Sequence, residues 1–152
     1  MAGVPPVVTI TKGSNALRRK VNLASAVSFV GAATAENNAA ISYAWSTTSN
    51  GLTLVYPGIT LTPLSSPNLA IQPNTLTEGL TYTFRLTATA AGSSGYSTAT
   101  VTVNRPPTNT AGGISVSPLV GTAGNTTFTL TTTAWNDDPE VWLSHRPQPP
   151  FF

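Results

Sequence analysis

The sequence predicts an all-β protein, an antiparallel β-sandwich followed by a partial second sandwich. Three observations lead to this fold class. Short runs rich in Val, Ile, Thr and aromatic residues recur along the chain, separated by turn-forming residues. Several of these runs alternate apolar and polar residues, as half-buried strands do. Seven or so such strands at regular spacing, without a convincing helical segment, favour a sandwich over a helical or α/β fold.

The first half of the chain predicts four strands. Val7–Thr11 is short and β-branched, and Lys20–Gly31 alternates loosely. Ala32–Ala40 is small and polar, and predicts a loop or one helical turn. Ile41–Thr47 has the clearest alternation, and Leu52–Tyr56 predicts a further short strand. The apolar residues that fall on one side of the predicted strand are Val21, Leu23, Val27 and Phe29 in Lys20–Gly31, and Ile41, Tyr43 and Trp45 in Ile41–Thr47.

The next stretch predicts three more strands and a domain boundary. Leu69–Ile71 forms a short strand, and Leu80–Ala90 alternates again, with Tyr82, Phe84, Leu86 and Ala88 on one side. Gly92–Gly95 predicts the hairpin connection to a Thr/Val-rich strand, Tyr96–Val103. Asn104–Pro107 ends that strand, because proline cannot donate to a ladder.

We therefore expect residues 1–105 to form one sandwich and residues 106–140 to begin a second, incomplete one. Ile114–Pro118 and Thr126–Ala134 predict its two strands, which could not close a core alone. Residues 141–152 have no strand or helix period and predict an irregular, Pro-rich tail. We interpret this tail as a truncated or frame-shifted end.

Composition excludes several classes of function. Only 8% of the residues are charged, so solubility depends on Thr, Ser and Asn, which is common in secreted and cell-surface modules. The chain has no cysteine, which excludes disulfides and thiol catalysis. Basic residues cluster only at Arg18-Arg19-Lys20, too few to predict nucleic-acid binding. No apolar run is long enough to span a membrane, and the first residues do not form a signal peptide.

Residues 68–140 resemble the REJ (receptor for egg jelly) module of polycystin-like and sperm-receptor proteins. The first part of the chain also resembles a PKD-type, immunoglobulin/fibronectin-like sandwich. The sequence NRPP at the domain boundary, followed by WNDDPE, distinguishes this pattern from Thr-rich bacterial repeats. The segments that carry the resemblance are Tyr43–Ser46, Ile71–Leu76, Tyr82–Thr87, Thr100–Pro107, Gly112–Pro118, Gly121–Ala123, Thr127–Leu130 and Trp135–Glu140.

The predicted structural core contains Trp45, Tyr43, Tyr82 and Phe84. Trp45 suits the centre between two sheets. Tyr82 stands at the start of its strand like a tyrosine corner, whose ring packs while its hydroxyl bonds a neighbouring loop backbone.

Candidate chemical groups are few. Asp137, Asp138 and Glu140 could supply oxygens to calcium, but further ligands would have to come from elsewhere. An Asx-type turn after a strand is the default interpretation of these residues. Asn125 begins an N-glycosylation sequon, Asn-Thr-Thr. His145 has no Ser or Asp constellation around it, so no catalytic role is predicted. With no paired carboxylates and no phosphate-binding loop, we expect a non-enzyme without a cofactor.

The sequence offers three candidate binding features. Arg18-Arg19-Lys20 could bind acidic glycans or could be a solvated loop. Trp45, Trp135, Tyr43 and Tyr96 could form a sugar-stacking platform, and of these we expect Tyr96 to be exposed. Pro147–Pro150 matches a polyproline ligand pattern.

Together these observations predict a non-catalytic structural or adhesive module. The resemblance implies part of the extracellular region of a large, membrane-anchored, polycystin-like protein, with neighbouring domains as partners and loops available to glycan or protein ligands. The alternative is a carbohydrate-binding module.

Overall fold

The computed structural model describes residues 3–14, 16–17, 20–108, 113–132 and 135–136. The chain divides into two units, Met1–Asn104 and Arg105–Phe152. Every sheet in the described residues is antiparallel and no α-helix is present among them, so the predicted all-β class with β-sandwich architecture is confirmed.

Two three-stranded sheets build the first unit. Its strands are β1 (Val7–Lys12), β2 (Val27–Thr34), β3 (Ser42–Thr47), β4 (Asn68–Ile71), β5 (Thr81–Ala90) and β6 (Ser93–Thr102). The first sheet has the order β1-β2-β4, and the second sheet has the order β3-β5-β6. Two short 3₁₀ turns, Glu36–Asn38 and Ser49–Gly51, flank β3.

The core lies between these two sheets. Phe29 of β2 packs against Trp45 of β3 and Phe84 of β5, with ring centroids 5.9 and 5.3 Å apart. These tilted aromatic pairs join the two sheets directly. Leu69 and Ile71 of β4 are fully buried beside them.

Gly31 marks a close approach between the sheets. It lies on the inner face of β2, and a Cβ atom there would lie 2.3 Å from Leu86 Cδ2 and 2.4 Å from the Pro67 carbonyl oxygen. Only glycine leaves room for both atoms.

The second unit contains β7 (Ile114–Ser117) paired with β8 (Thr129–Thr132). Ile114 and Val116 alternate with serines, and Val116 stands opposite Leu130. All three apolar side chains are exposed. The described part of this unit therefore presents one apolar face on a two-stranded ribbon, without a buried core.

Three expectations about the strands need correction. Leu52–Tyr56 is not a strand: Leu52 and Leu54 pack half-buried against the core, but their backbone joins no ladder. The loose alternation from Lys20 spans two elements, because an isolated bridge at Val21 and a turn precede the start of β2 at Val27. The hairpin turn is Ala91-Gly92, not Gly92–Gly95, and β6 already begins at Ser93.

Candidate functional site

The outer face of the second sheet is the candidate binding surface. Strand β5 alternates strictly, so that its core residues point inwards and every second residue points outwards. Strand β6 does the same, and the two-residue turn fixes the register between them. The outward residues are Thr81, Thr83, Arg85, Thr87 and Thr89 on β5, and Ser94, Tyr96, Thr98, Thr100 and Thr102 on β6.

Hydroxyl groups pair across these two strands. In each of three outward rows, the side-chain oxygens of opposite residues lie within hydrogen-bond distance of each other. The pairs are Thr81–Thr102 (2.9 Å), Thr83–Thr100 (3.1 Å) and Thr89–Ser94 (2.7 Å). Such cross-strand Thr pairs stabilise a sheet by about 0.2–1 kcal/mol each.

Arg85 and Tyr96 interrupt the hydroxyl rows at the centre of this face. The Arg85 Cζ atom lies 3.8 Å from the centroid of the Tyr96 ring. Both residues are exposed, and Tyr96 keeps 61% of its accessible surface. A guanidinium stacked on a tyrosine ring at an exposed site gains about 0.5–1 kcal/mol.

Contacts between the first and last strands of the first unit form a second feature. The Ser93 hydroxyl donates to the Gly3 carbonyl oxygen, and the Lys12 ammonium donates to the Thr100 carbonyl oxygen at 2.5 Å. Between these points, the Pro6 carbonyl oxygen approaches the backbone at Gly95, where a side chain would clash with it. Successive contacts advance along both strands in the same direction, so β1 and β6 run parallel, side by side.

Contacts of the same kind continue beyond the ends of β1 and β6. Val21 N–H donates to the Thr102 carbonyl oxygen at 2.9 Å, and Asn104 N–H donates to the Val21 carbonyl oxygen at 2.8 Å. Val21 thus forms a parallel bridge with Val103, and both side chains are buried.

The structure places the proposed core aromatics as follows. Trp45, Tyr82 and Phe84 are buried, and Tyr43 packs partly buried against the same cluster. The Trp45 indole N–H lies within hydrogen-bond distance of the Ser66 and Pro67 carbonyl oxygens, at 3.1 and 3.2 Å. The Tyr82 hydroxyl accepts a hydrogen bond from Thr77 N–H at 3.0 Å, which is the loop contact expected of a tyrosine corner.

The other candidates are spread widely or lie outside the described residues. Asn125 is exposed at a turn in which its N–H donates to the Thr122 carbonyl oxygen, at 3.1 Å. Trp135 is exposed in the second unit, and Tyr96 in the first. Candidates that fall outside the described residues are Arg18, Arg19, Asp137, Asp138, Glu140, His145 and residues 147–150.

Neither a metal site nor a membrane helix is present in the described residues. No group of three or more His, Cys, Asp or Glu side chains comes together among them. No helix within these residues is both long enough and apolar enough to cross a bilayer.

One functional candidate was missed by sequence reasoning, namely Arg85. Its outward parity is readable from the sequence, but its contact with Tyr96 depends on the register of the β5–β6 hairpin. The turn at Ala91-Gly92 places Thr87 opposite Tyr96, which makes Arg85 its diagonal neighbour. Assigning the turn to Gly92–Gly95 obscured that pairing.

A β-sandwich with a buried Trp, a tyrosine corner and a hydroxyl-covered outer face defines the class of this protein as a sandwich module. The REJ domain family model matches residues 1–146, so the chain belongs to the REJ domain family. The resemblance to the REJ module drawn from the sequence is thereby confirmed. REJ domains form a non-enzymatic family that is typically extracellular in membrane proteins.

No curated protein matches the chain. A solved structure that matches part of the chain is described as a nucleoside hydrolase-related hypothetical protein from Saccharophagus degradans that is associated with carbohydrate metabolism. The match has 19% sequence identity and a TM-score of 0.49, and covers 66% of this chain and 26% of that chain.

Proposed function

We propose that this chain is a non-catalytic structural and adhesive module in the extracellular region of a larger cell-surface protein, with neighbouring domains as its partners. Its first unit acts as a spacer that carries tension along the chain. The family supports the extracellular setting. The observation that carries the mechanical role is the parallel arrangement of β1 and β6, the first and last strands of the unit.

This arrangement makes the unit resist extension. Gly3 lies beside Ser93 at one end of the sandwich, and Asn104 bonds Val21 at the other end. A chain under tension therefore pulls β1 and β6 past each other along their length. The contacts of Lys12 and Val21 with the end of β6 must then break together, whereas peeling two strands apart breaks contacts one at a time.

A single-molecule pulling experiment tests this proposal. Because the chain contains no cysteine, pairs of introduced cysteines give unique attachment points. Val4→Cys with Arg105→Cys loads the unit along its strands, since both residues are exposed and lie next to its two ends. Val4→Cys with Glu36→Cys pulls β1 from β2 starting at the terminal pair Val7–Thr34, and serves as the matched peeling geometry.

We expect the first pair to require a clearly higher unfolding force than the second at the same loading rate. The extension on unfolding identifies the unit that opens, because an extended chain spans about 3.3–3.6 Å per residue. Equal forces in the two geometries would contradict the spacer role.

Carbohydrate binding is the second candidate function. The exposed Tyr96 supports it, because an aromatic side chain amid hydroxyl groups offers contacts to a sugar. Retention on a polysaccharide column that is abolished by Tyr96→Ala would support this function. Failure of the natural chain to bind any glycan would argue against it.

A further inference from the structure

We propose that the outer face of the second sheet binds a carboxylate-bearing sugar, and that the Arg85 guanidinium is the group that selects the carboxylate. This inference rests on the second candidate function and names its ligand class. The spacer role needs no ligand and stands or fails separately.

Within the described part of the chain, no carboxylate balances the positive charge of Arg85 on this face. No Asp or Glu occupies an outward position of β3, β5 or β6. Among the residues that the structure describes, no carboxylate forms an ion pair with Arg85, and the guanidinium contacts the Tyr96 ring. An exposed, unpaired guanidinium offers a planar fork of N–H donors that matches a carboxylate through two parallel hydrogen bonds.

Tyr96 acts as a positioning residue for that fork. Stacking at 3.8 Å restrains the long Arg85 side chain, so less conformational entropy is lost when a ligand binds. The stack occupies the face of the guanidinium, while its in-plane N–H groups are the ones that bond a carboxylate.

The surroundings favour a polyhydroxylated ligand over an acidic peptide. Each hydroxyl pair uses one O–H as a donor, so one O–H per pair stays available, together with free lone pairs. The row next to Arg85 holds the pair Thr83–Thr100. Beyond it, the Lys12 ammonium is held at the Thr100 carbonyl oxygen, and adds positive potential at the same side of the face.

The experiment compares two ligands that share one sugar backbone and differ in whether its carboxyl groups are charged or esterified. The full chain is titrated with a trimer of galacturonic acid and, separately, with the fully methyl-esterified trimer, while NMR follows the Arg85 Nε–H and the Tyr96 signals. Because the face is open, we expect weak binding of the acid, with Kd on the order of 1 mM. The ester should bind at least about tenfold more weakly, the loss expected for a charge-assisted hydrogen bond.

Variants distinguish recognition by the two parallel N–H groups of a guanidinium from attraction by a simple positive charge. Arg85→Gln should abolish the preference for the acid, and Arg85→Lys should lose most of it although the charge remains. Tyr96→Phe retains the stacking ring and should bind like the natural chain, whereas Tyr96→Ala should weaken binding. Arg105→Gln, the same change at another exposed arginine, is the control and should have no effect.

Each outcome has one meaning. Equal binding of acid and ester would overturn the selection of a carboxylate, and would leave carbohydrate binding standing. If neither trimer binds, both the selection of a carboxylate and carbohydrate binding by this face are overturned, and the pulling result is unaffected. Equal losses in Arg85→Gln and Arg105→Gln would show non-specific charge attraction, and would overturn the role of Arg85.

Discussion

Replacing Tyr82 by phenylalanine should destabilise the first unit measurably, although it removes one oxygen atom. The Tyr82 ring is buried, and its hydroxyl accepts the Thr77 N–H hydrogen bond at 3.0 Å. Phenylalanine keeps the ring contact with Phe84, whose centroid lies 6.5 Å away. The change therefore isolates the hydrogen bond between β5 and the preceding loop.

The expected magnitude follows from the surroundings of the two partners. An unsatisfied buried polar group costs about 1–3 kcal/mol. Thr77 itself is exposed, so water can reach its N–H in the variant, and we expect the lower end, about 1 kcal/mol. For a unit of this size such a loss lowers the melting temperature by roughly 4–8 °C.

The assay is urea unfolding of the full chain, followed by far-UV circular dichroism and by amide NMR signals of the first unit. Tyr96→Phe removes the same oxygen from an exposed ring and should change stability by less than about 0.5 kcal/mol. The Thr77 amide should also exchange faster in Tyr82→Phe alone. If both variants unfold at the same urea concentration, the tyrosine-corner hydrogen bond does not contribute as argued.

Three further predictions follow from other positions. Gly31→Ala should destabilise the first unit by about 1–3 kcal/mol in the same unfolding assay, because its methyl group would overlap Leu86 and a backbone carbonyl; unchanged stability would show that the sheets can separate there. Trp45→Phe should cost about 1–3 kcal/mol, because two loop carbonyls lose their indole donor and a cavity remains; a melt equal to that of the natural chain would refute this. When the chain is secreted from eukaryotic cells, Asn125→Gln should abolish a glycan mass increment removable by a glycosidase, and identical masses of the two proteins would contradict glycosylation.

The strands that the sequence predicted best are those in which apolar and polar residues alternate and the same residues also pair with neighbouring strands. In β5, the inward apolar residues are buried and the outward threonines face solvent, because the strand pairs on both sides and covers the core. β3 was equally clear, with Trp45 as its buried centre. Period-2 alternation is therefore informative where a strand has both a packed face and bonded neighbours.

The same alternation was misleading where residues pack against the core without pairing in a sheet. Leu52 and Leu54 alternate with exposed residues because they cover the edge of the core, without joining a ladder. Val21 shares its parity with Val27 by coincidence, since a turn lies between them.

The candidate site was only half predictable. Exposure of Tyr96 could be anticipated from its strand position, but its partner Arg85 depends on cross-strand register, which a one-residue error in the turn changes. Gly95 was assigned to the turn because glycine favours turns. It lies within β6, and glycine is needed there because the Pro6 carbonyl oxygen approaches too closely for a side chain.

The paired hydroxyls have a consequence for how the protein meets water. In each pair one hydroxyl donates to the other, so one O–H per pair remains to donate to water. Because these pairs are neutral, their contact with water should vary little with pH or salt, so the hydroxyl rows would keep the same surface in a fluid whose ionic composition fluctuates.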